Sequence, residues 1–327
     1  MQVLVTGGAG YIGSHTAKAL AVAGHTPVVL DSLELGHEWA VRWGPLEQVD
    51  LGDKAAVADV FKRYRFDAVV HFAGYIAVGE SMTNPGKYFA SNVSNTLNLL
   101  DGMQAAGVST IVFSSTAATY GDPECVPMPE THAQRPVNPY GESKLMVEKI
   151  LDWYSVAHGF AAAKLRYFNA SGADPDLDIG EDHHPETHLI PLILDAAYGR
   201  RESIQVFGTD YDTPDGTAIR DYIHVNDLAS AHLKAIGLLR RSGGNHAYNL
   251  GTGKGISVRE VISAVERISG RAVPVKESPR RAGDAPLLVA DSSRAQTELD
   301  WTPSMSSLDT IIKTADAWHR KHFGVDG

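Results

Sequence analysis

Short apolar runs alternate with longer segments of helical spacing through the first half of the chain. The apolar runs have the length of buried strands, and the segments between them repeat apolar residues at intervals typical of amphipathic helices. The predicted strands cover residues 2–6, 27–30, 46–49, 67–72, 109–114 and 161–168. Continuous apolar strands separated by helices are typical of a parallel sheet covered on both faces. We therefore predict an α/β fold with a doubly wound, Rossmann-type parallel sheet.

The pattern changes in the second half and predicts a smaller domain that is interleaved with the first. From residue 172 to residue 188 the chain is rich in Asp, Pro, Gly and His, which marks the crossing. Residues 220–239 then predict a helix and residues 247–250 a strand, both of which return to the main sheet. We predict a sheet domain of residues 1–171 with about 220–250, and a second α/β domain of residues 172–219 with about 251–327.

The composition narrows the class of protein and its partners. The chain has 327 residues, 43% of them hydrophobic, which suffices for about two domains with a large core. A net charge of −10 argues against a basic face for nucleic acid. The one cysteine, Cys125, excludes an internal disulfide and a cysteine metal cluster. No signal-peptide pattern follows Met1 and no apolar stretch approaches the ~20 residues of a membrane span, so we expect a cytoplasmic protein without membrane contact.

The first predicted strand runs directly into a glycine-rich turn, and a helical pattern follows. Gly7, Gly10 and Gly13 have the spacing of the dinucleotide fingerprint, in which glycines permit a tight turn, close approach of the pyrophosphate and helix packing. Asp31 ends the next strand, where an acidic side chain binds a ribose diol and repels a 2′-phosphate. We therefore predict a site for NAD rather than NADP.

Tyr140 and Lys144 lie four residues apart in a predicted helix, so they share one face and sit one turn apart. The ordinary pKa of tyrosine is about 10. An ammonium at ~4 Å contributes about 4 kcal/mol towards the phenolate at an effective dielectric of ~20. The pairing therefore predicts a tyrosine base with a pKa near neutrality, to which a nicotinamide cation would add its charge. Taken alone, the same spacing is also common on solvated helix surfaces.

Several longer motifs extend this pattern over nearly the whole chain. They are the glycine turn and the segments 71–74, 78–81, 140–144, 167–169, 220–225 and 280–284. With these motifs the chain resembles the extended short-chain dehydrogenase/reductase family, and within it the UDP-galactose 4-epimerases (UDP-glucose 4-epimerases). The resemblance implies interconversion of UDP-galactose and UDP-glucose by inversion at C4, through a transient 4-keto intermediate and with tightly bound NAD. It also implies a homodimer formed by helices of the sheet domain, here the segments after Asn92 and around Tyr140.

The resemblance assigns three catalytic residues. Tyr140 as phenolate accepts the proton of the sugar 4-hydroxyl while the C4 hydride passes to the nicotinamide. Thr116 hydrogen-bonds the same hydroxyl and relays its proton, although a hydroxyl at a strand end often only caps a turn. Lys144 supports Tyr140 and also binds the nicotinamide ribose.

The resemblance also implies which residues hold the cofactor. Besides Asp31 and Lys144, these are Gly7, Gly10, Tyr11, Ile12, Gly13, Asp50, Leu51, Phe72, Ala73, Gly74, Asn92 and Tyr167. Asp50 and Leu51 flank the adenine, although Leu51 and Phe72 are equally typical of packing within the domain. Ile76 departs from the family, because many members carry there a lysine that reaches the cofactor. We expect this contact to be lost.

A second set of residues is implied for the sugar nucleotide: Asn169, His188, Leu189, Phe207, Arg220, Arg281 and Asp284, besides Thr116 and Tyr140. Arg220 and Arg281 suit the diphosphate because the planar guanidinium grips phosphate oxygens in pairs. Asp284 is expected to bind the uridine ribose and Phe207 to pack near the uracil. His188 stands where many members have Asn, and its imidazole donates one hydrogen bond without copying the amide.

Leu288 occupies the position that resembles a gate beside the C2 substituent of the sugar. In the family a large Tyr excludes N-acetylated sugars and a small residue admits them. Leucine is intermediate in size, so we predict efficient turnover of UDP-glucose and UDP-galactose with weak use of UDP-GlcNAc.

Other interpretations stay open at this point. Closer relatives act on other UDP-sugars, namely N-acetylhexosamines, uronates or pentoses. A 4,6-dehydratase or decarboxylase is disfavoured, since Ala117 and Ala118 replace the acid/base pair that follows Thr in dehydratases. A reductase that consumes NADH, and a non-catalytic NAD(H)-responsive regulator, would retain the fold, although a regulator has no need of an intact catalytic set. Residues 181–188 contain histidines and carboxylates whose spacing fits no tetrahedral site, so we expect a polar loop and no metal.

Overall fold

A parallel sheet is the main element of the computed structural model, which describes residues 1–281 and 284–325. The strands are β1 (Gln2–Thr6), β2 (Thr26–Asp31), β3 (Leu46–Gln48), β4 (Ala68–His71), β5 (Thr110–Thr116), β6 (Ala161–Tyr167), β7 (Asn169–Ser171), β8 (Ile204–Phe207), β9 (Ile219–Arg220), β10 (Tyr222–His224), β11 (Asn245–Leu250), β12 (Ile256–Ser257), β13 (Val275–Ser278) and β14 (Leu287–Leu288). Seven of them form the main sheet in the order β11-β6-β5-β4-β1-β2-β3. Neighbouring strands are parallel throughout, so the predicted doubly wound α/β fold is confirmed.

Helices connect the strands and cover the sheet. They are α1 (Tyr11–Val22), α2 (Lys54–Arg63), α3 (Val78–Thr83), α4 (Pro85–Tyr88), α5 (Asn95–Ala105), α6 (Pro139–His158), α7 (Leu189–Ala197), α8 (Val225–Ser242), α9 (Val258–Ser269), α10 (Ser293–Glu298) and α11 (Leu308–Phe323), with a π-helical turn (Phe89–Ser94) between α4 and α5. Among the described residues, none of these helices has the length and apolarity needed to cross a bilayer.

Successive residues of β1 point to opposite faces of the sheet and therefore contribute to two cores. Val3 and Val5 pack with buried residues of α8, such as Leu228 and Leu239. Leu4 packs on the other face with buried residues of α2 and α5. Because both faces are covered, the strands must be apolar on both sides, which is the physical reason for the continuous apolar runs in the sequence.

A third core belongs to the smaller part of the molecule. It is formed by buried residues of α7, α9, α11 and β8, including Ile193, Val206, Val265 and Ile311. Around it β8 pairs with β13, and β9 pairs with β12 and β14. A core of its own is what a second domain requires, and the bounds given above for the two domains stay a prediction.

The strand predicted to return to the main sheet is confirmed, since β11 pairs with β6, but several predicted boundaries differ from the observed ones, two of them for a clear reason. The helix predicted for residues 220–239 begins only at Val225, because β9 and β10 occupy the residues before it. β6 ends at Tyr167, before Phe168, because the chain leaves the main sheet to form β7, which pairs with β10. These short strands are stabilised by pairing with distant segments, which no local pattern can show.

The start of α6 positions the residues of greatest interest. Pro139 takes the first helical position, where its missing N–H would have had no partner in the helix. Asn138 caps the helix by accepting a hydrogen bond from the N–H of Gly141 at 2.8 Å. A Cβ on Gly141 would lie 2.4 Å from the carbonyl oxygen of Ala118, so this glycine lets the helix approach the end of β5 closely. Tyr140 is thereby held in the first turn of α6, against that strand end.

Candidate active site

A cleft of about 800 Å³ opens at the carboxyl ends of the main-sheet strands. Ligands bind at this edge in doubly wound sheets. Most of the predicted cofactor and substrate residues line it, namely Gly7, Gly10, Tyr11, Ile12, Gly13, Asp31, Asp50, Leu51, Phe72, Ala73, Gly74, Thr116, Tyr140, Tyr167, Asn169, His188, Leu189, Arg220, Asp284 and Leu288. The structure thus brings both predicted sets together in one cavity, and their individual roles stay predictions.

Four predicted residues are not among the described residues that line this cleft: Asn92, Lys144, Phe207 and Arg281. Asn92 is buried and clamps the backbone of Tyr75, accepting from its N–H at 2.8 Å and donating to its carbonyl at 3.0 Å. Arg281 lies over the ring of Phe207, 3.8 Å from guanidinium carbon to ring centroid. Asn92 therefore positions a loop of the cleft, while Arg281 and Phe207 contact each other.

The glycine turn has the shape that a dinucleotide requires. Gly7 has φ +70°, and a Cβ there would lie 2.6 Å from the backbone nitrogen of Ala73. A Cβ on Gly13 would lie 2.1 Å from the carbonyl oxygen of Gly7, which shows how closely α1 approaches the turn. α1 begins without a side-chain cap and without an acidic residue in its first turn. Its free N–H groups and dipole therefore favour an anion at this end.

Asp31 is buried at the end of β2, where its carboxylate is already oriented by the backbone. It accepts hydrogen bonds from the N–H groups of Ala9, at 3.0 Å, and Leu33, at 2.9 Å. Burial raises the pKa of the carboxyl above its ordinary value, and these two hydrogen bonds act in the opposite direction. The remaining lone pairs of an ionised Asp31 are available to ribose hydroxyls.

Tyr140 and Thr116 both line the cleft, Tyr140 from the first turn of α6 and Thr116 from the end of β5. Burial raises the pKa of Tyr140 above its ordinary value, and the side chain of Thr116 acts in the opposite direction by less. Thr116 also caps the turn that follows β5, because its hydroxyl accepts from the N–H of Ala118 at 3.1 Å. The capping role and the effect on the pKa of Tyr140 therefore coexist in one side chain.

Lys144 lies one turn along α6 from Tyr140 and is buried beneath the cleft. Its ammonium donates to the carbonyl of Ser114 at 3.0 Å, and burial lowers its pKa to about 8. A Cβ on Gly74 would be 3.8 Å from this ammonium, so Lys144 reaches below the loop after β4. The pKa of Tyr140 was expected near neutrality, whereas burial holds it above the ordinary value, and the Lys144 ammonium is directed to Ser114.

Three of the predicted substrate residues, Arg220, Asp284 and Leu288, lie together on the cleft wall. Arg220 donates to the carbonyls of Ile219, at 2.9 Å, and Ala285, at 2.8 Å, and lies 3.6 Å from the carboxylate of Asp284. β14 pairs with β9 in a register that sets Leu288 beside Arg220. The cation, the carboxylate and the predicted gate are therefore neighbours. Ala282 and Gly283, which belong to the motif 280–284, lie outside the described residues.

The loop 181–188 brings four side chains together although their spacing in the sequence had indicated no site. One oxygen or nitrogen each from Glu181, His183, Glu186 and His188 lies within 4.8 Å of the others. Burial opposes ionisation of Glu181, but the charges and hydrogen bonds of the two histidines outweigh it and lower its pKa to about 2. Burial likewise disfavours charge on His183, but Glu181 and Glu186 raise its pKa to about 10. Charge pairing within the loop thus satisfies the cluster.

Comparison with known proteins agrees with this geometry. Residues 3–251 match the NAD dependent epimerase/dehydratase family. The chain belongs to this family. It is 50% identical to a UDP-glucose 4-epimerase of Rhizobium leguminosarum bv. trifolii over 98% of this chain and 97% of the relative. The structure of UDP-glucose 4-epimerase from Brucella ovis in complex with NAD superposes with a TM-score of 0.96 at 51% identity, covering 99% and 98% of the two chains. The enzyme from Bifidobacterium longum in complex with NAD⁺ and UDP gives a TM-score of 0.94 at 38% identity, covering 99% and 100%.

In this member of the epimerase/dehydratase family, further charged or polar residues line the cleft that the sequence had not indicated. Among them are Glu34, Tyr75, Lys87, Glu181 and His183. Tyr75 and Glu34 follow β4 and β2 closely, so their position near the carboxyl edge was a signal that could have found them. Lys87 comes from α4, away from any strand end, and its place on the wall could not be inferred locally.

Asp221 is a further residue that the epimerase/dehydratase motif contains but whose role the sequence did not reveal. Its buried carboxylate accepts hydrogen bonds from the N–H and hydroxyl of Thr252, both at 2.8 Å, from the N–H of Gly253 at 3.0 Å and from the N–H of Ala290 at 3.2 Å. One carboxylate thus joins β9 and β10 to the segments that follow β11 and β14. The adjacent Arg220 receives a fixed position on the cleft wall as a result.

Proposed function

We propose that the protein interconverts UDP-galactose and UDP-glucose by inverting C4 of the sugar, with NAD regenerated in each turnover. The observation that carries the proposal is that Tyr140 and Thr116 line the same cleft as the dinucleotide turn. Two relatives that are UDP-glucose 4-epimerases, at 50% and 51% identity, support it. The residues of the cleft then fall into three groups, which bind the cofactor, transfer the proton and bind the nucleotide.

The cofactor residues fit NAD by shape and charge. The cradle between Gly7, Gly13 and Ala73 has no space for a Cβ, and it leads to the uncapped start of α1. Asp31 is placed to accept from a ribose diol. When bound, NAD supplies an acceptor for the hydride of the sugar C4 and, in its reduced form, a hydride donor to the opposite face of the 4-keto sugar. Tyr140, Lys144 and Thr116 would surround its nicotinamide end, while Asp50 and Leu51 would flank its adenine end.

Tyr140 carries out the proton transfer. With its pKa raised, the phenol is protonated at neutral pH, so the phenolate must be stabilised by positive charge in the complex. Lys144 carries one such charge below a pH of about 8. The phenolate takes the proton of the 4-hydroxyl as the C4–H bond breaks, and a 4-keto sugar forms. Tyr140 retains the proton and returns it to the alkoxide when the C–H bond re-forms on the other face.

The nucleotide must stay bound while the keto sugar turns over. Arg220, and His188 paired with Glu181, present positive charge to a diphosphate. Asp284 lies beside Arg220 as an acceptor for ribose hydroxyls. Contacts to the nucleotide alone leave the sugar free to present either face.

We also propose that two copies pair through α5 and α6. These helices expose large apolar side chains: Leu97 at 37% of its surface, Met146 at 39% and Trp153 at 71%. Met146 and Trp153 are two turns apart and share a face of α6. The cytoplasmic location and the lack of contact with nucleic acid or membrane stay predictions from composition.

The test is to incubate the purified protein with UDP-galactose, without added cofactor, and to follow UDP-glucose by anion-exchange chromatography. We expect conversion to a mixture that favours the glucose epimer, and its loss in Tyr140→Phe. Net production or consumption of NADH would instead indicate a reductase. Conversion of only N-acetylated, uronate or pentose UDP-sugars would reassign the substrate, and no turnover of any of them would favour a regulator.

A further inference from the structure

A hydrogen bond joins two loops on opposite sides of the cofactor cleft. The hydroxyl of Tyr75, in the loop after β4, donates to the carboxylate of Glu34, in the loop after β2, at 2.5 Å. Both residues line the cleft. Neither belongs to the residues assigned above to cofactor or substrate.

The sheet order determines what lies between these two loops. β1 stands between β4 and β2, and the glycine turn follows β1. A contact between the loops after β4 and β2 therefore spans the glycine turn and the start of α1, where the structure favours a pyrophosphate. A dinucleotide that reaches from Asp31 to Tyr140 must pass this point.

The Tyr75 side of the contact is rigidly held. Asn92 fixes the backbone of Tyr75 with two hydrogen bonds, as described above. The ammonium of Lys87 lies 3.8 Å from the centroid of the Tyr75 ring and is itself held by Glu80 at 2.8 Å. Burial, followed by the bond to Glu34, raises the pKa of Tyr75, so the phenol stays a donor at any working pH.

The Glu34 side is held by a strained local turn. Leu33 has φ +61°, a left-handed conformation that is unfavourable for a non-glycine residue. The N–H of Leu33 donates to Asp31 at 2.9 Å, which fixes this turn and directs the chain towards Glu34. Strain at such a position is typical of a functional constraint.

We propose that Tyr75 and Glu34 form a clasp over the pyrophosphate region of bound NAD and slow its release. Ile76 stands where many family members carry a cofactor-binding lysine, and the clasp takes over the retention of NAD from that lysine. It acts by closing the path along which NAD leaves rather than by binding the cofactor directly. The inference rests on NAD binding, which family membership supplies, and not on the identity of the sugar.

The experiment measures release of NAD rather than catalysis. Holoenzyme loaded with radiolabelled NAD is mixed with a large excess of unlabelled NAD, and bound label is followed over time by filter binding. We expect Tyr75→Phe and Glu34→Ala each to raise the release rate about tenfold, the effect of losing a hydrogen bond to a charged acceptor. The double variant should release NAD no faster than either single variant, within about twofold, because both changes remove one interaction.

Tyr64→Phe is the matched control. Its hydroxyl donates to Glu47 at 2.7 Å, and neither residue lines the cleft. The control should release NAD within about twofold of the wild-type rate. A release rate of Tyr75→Phe as slow as that of Tyr64→Phe would overturn the clasp, as would a faster release in Tyr75→Phe that Glu34→Ala does not share. If Tyr75→Phe fails to fold, the exposed Glu34 still provides the test. If the wild-type protein did not turn over UDP-galactose, the proposed function would be wrong. The rates of NAD release would still test the clasp, because they do not depend on the sugar substrate.

Discussion

The ammonium of Lys144 donates a hydrogen bond to the carbonyl oxygen of Ser114, 3.0 Å away. This contact joins the first turns of α6 to the end of β5, the two elements that carry Tyr140 and Thr116. Because the ammonium is buried, its pKa falls to about 8. Lys144 therefore changes charge within the range where an enzyme is readily assayed.

We predict that kcat for UDP-galactose decreases as the pH rises through about 8. Lys144 is charged below this pKa and neutral above it, so support for the Tyr140 phenolate is lost on the alkaline side. Lys144→Met should lower kcat at pH 7 about a hundredfold and abolish the decrease near pH 8. A pH–rate profile of both proteins, with NAD content measured in each, checks this. An unchanged alkaline limb in the variant would assign the limb to another group.

We predict that Leu288 sets the tolerance for N-acetylated sugars. Leu288 lines the cleft beside Arg220, so a larger side chain would narrow the space next to the sugar. Leu288→Tyr should lower kcat/KM for UDP-GlcNAc about tenfold or more, and Leu288→Ala should raise it, with smaller effects on UDP-galactose. Leu287→Ala is the control, since Leu287 is adjacent but does not line the cleft. Equal responses of both substrates to Leu288→Tyr would contradict a gate.

We predict that Glu181→Gln makes substrate binding more sensitive to alkaline pH. Burial disfavours charge on His188, but the carboxylate of Glu181 raises its pKa, aided by Glu186 and opposed by His183. Without Glu181, burial dominates and the imidazolium is lost at a lower pH. KM for UDP-galactose should rise about tenfold at pH 8 and less at pH 6, with kcat little changed. Glu298→Gln, whose carboxylate lies outside the cleft lining, should leave both KM values unchanged.

We predict that His232 makes the fold less stable in acid. His232 is fully buried in α8, and burial lowers its pKa to about 4 from an ordinary value of about 6.5. Between these two pKa values the His232 imidazole binds a proton in the unfolded chain but not in the folded protein. The free energy of unfolding is therefore higher at neutral pH and decreases as the pH falls. His232→Leu should reduce the loss of unfolding free energy between pH 7 and pH 5 by about 2 kcal/mol. Urea unfolding of both proteins at the two pH values measures the difference, and an unreduced loss would show that His232 does not titrate on unfolding.

The main sheet could be predicted because its physical cause is local. Burial on both faces imposes apolar residues on β1, β2 and β4, and a glycine turn must follow β1 where a helix packs closely. β9 and β10 could not be predicted in the same way. Their few residues are strands only because β7, β12 and β14 lie beside them, and these partners are distant in the sequence.

The site shows the same division. Gly7, Asp31 and Tyr140 were predicted because the chemistry of each depends on its immediate sequence neighbours. The pairing of Glu181 with His188 depends on how one loop folds back, and that of Tyr75 with Glu34 on two loops that the sheet order brings together. The raised pKa of Tyr140 depends on burial, and the Lys144 ammonium is directed to Ser114, neither of which the sequence spacing contains.

Asp221 separates the frame of the cleft from the side chain that is predicted to act as its gate. Its carboxylate holds the main chain near Leu288 through Thr252, Gly253 and Ala290, and none of these hydrogen bonds involves the Leu288 side chain. Leu288 can therefore be exchanged while these contacts keep the adjacent Arg220 in place. Substitution of Asp221, by contrast, would remove the hydrogen bonds that join these segments.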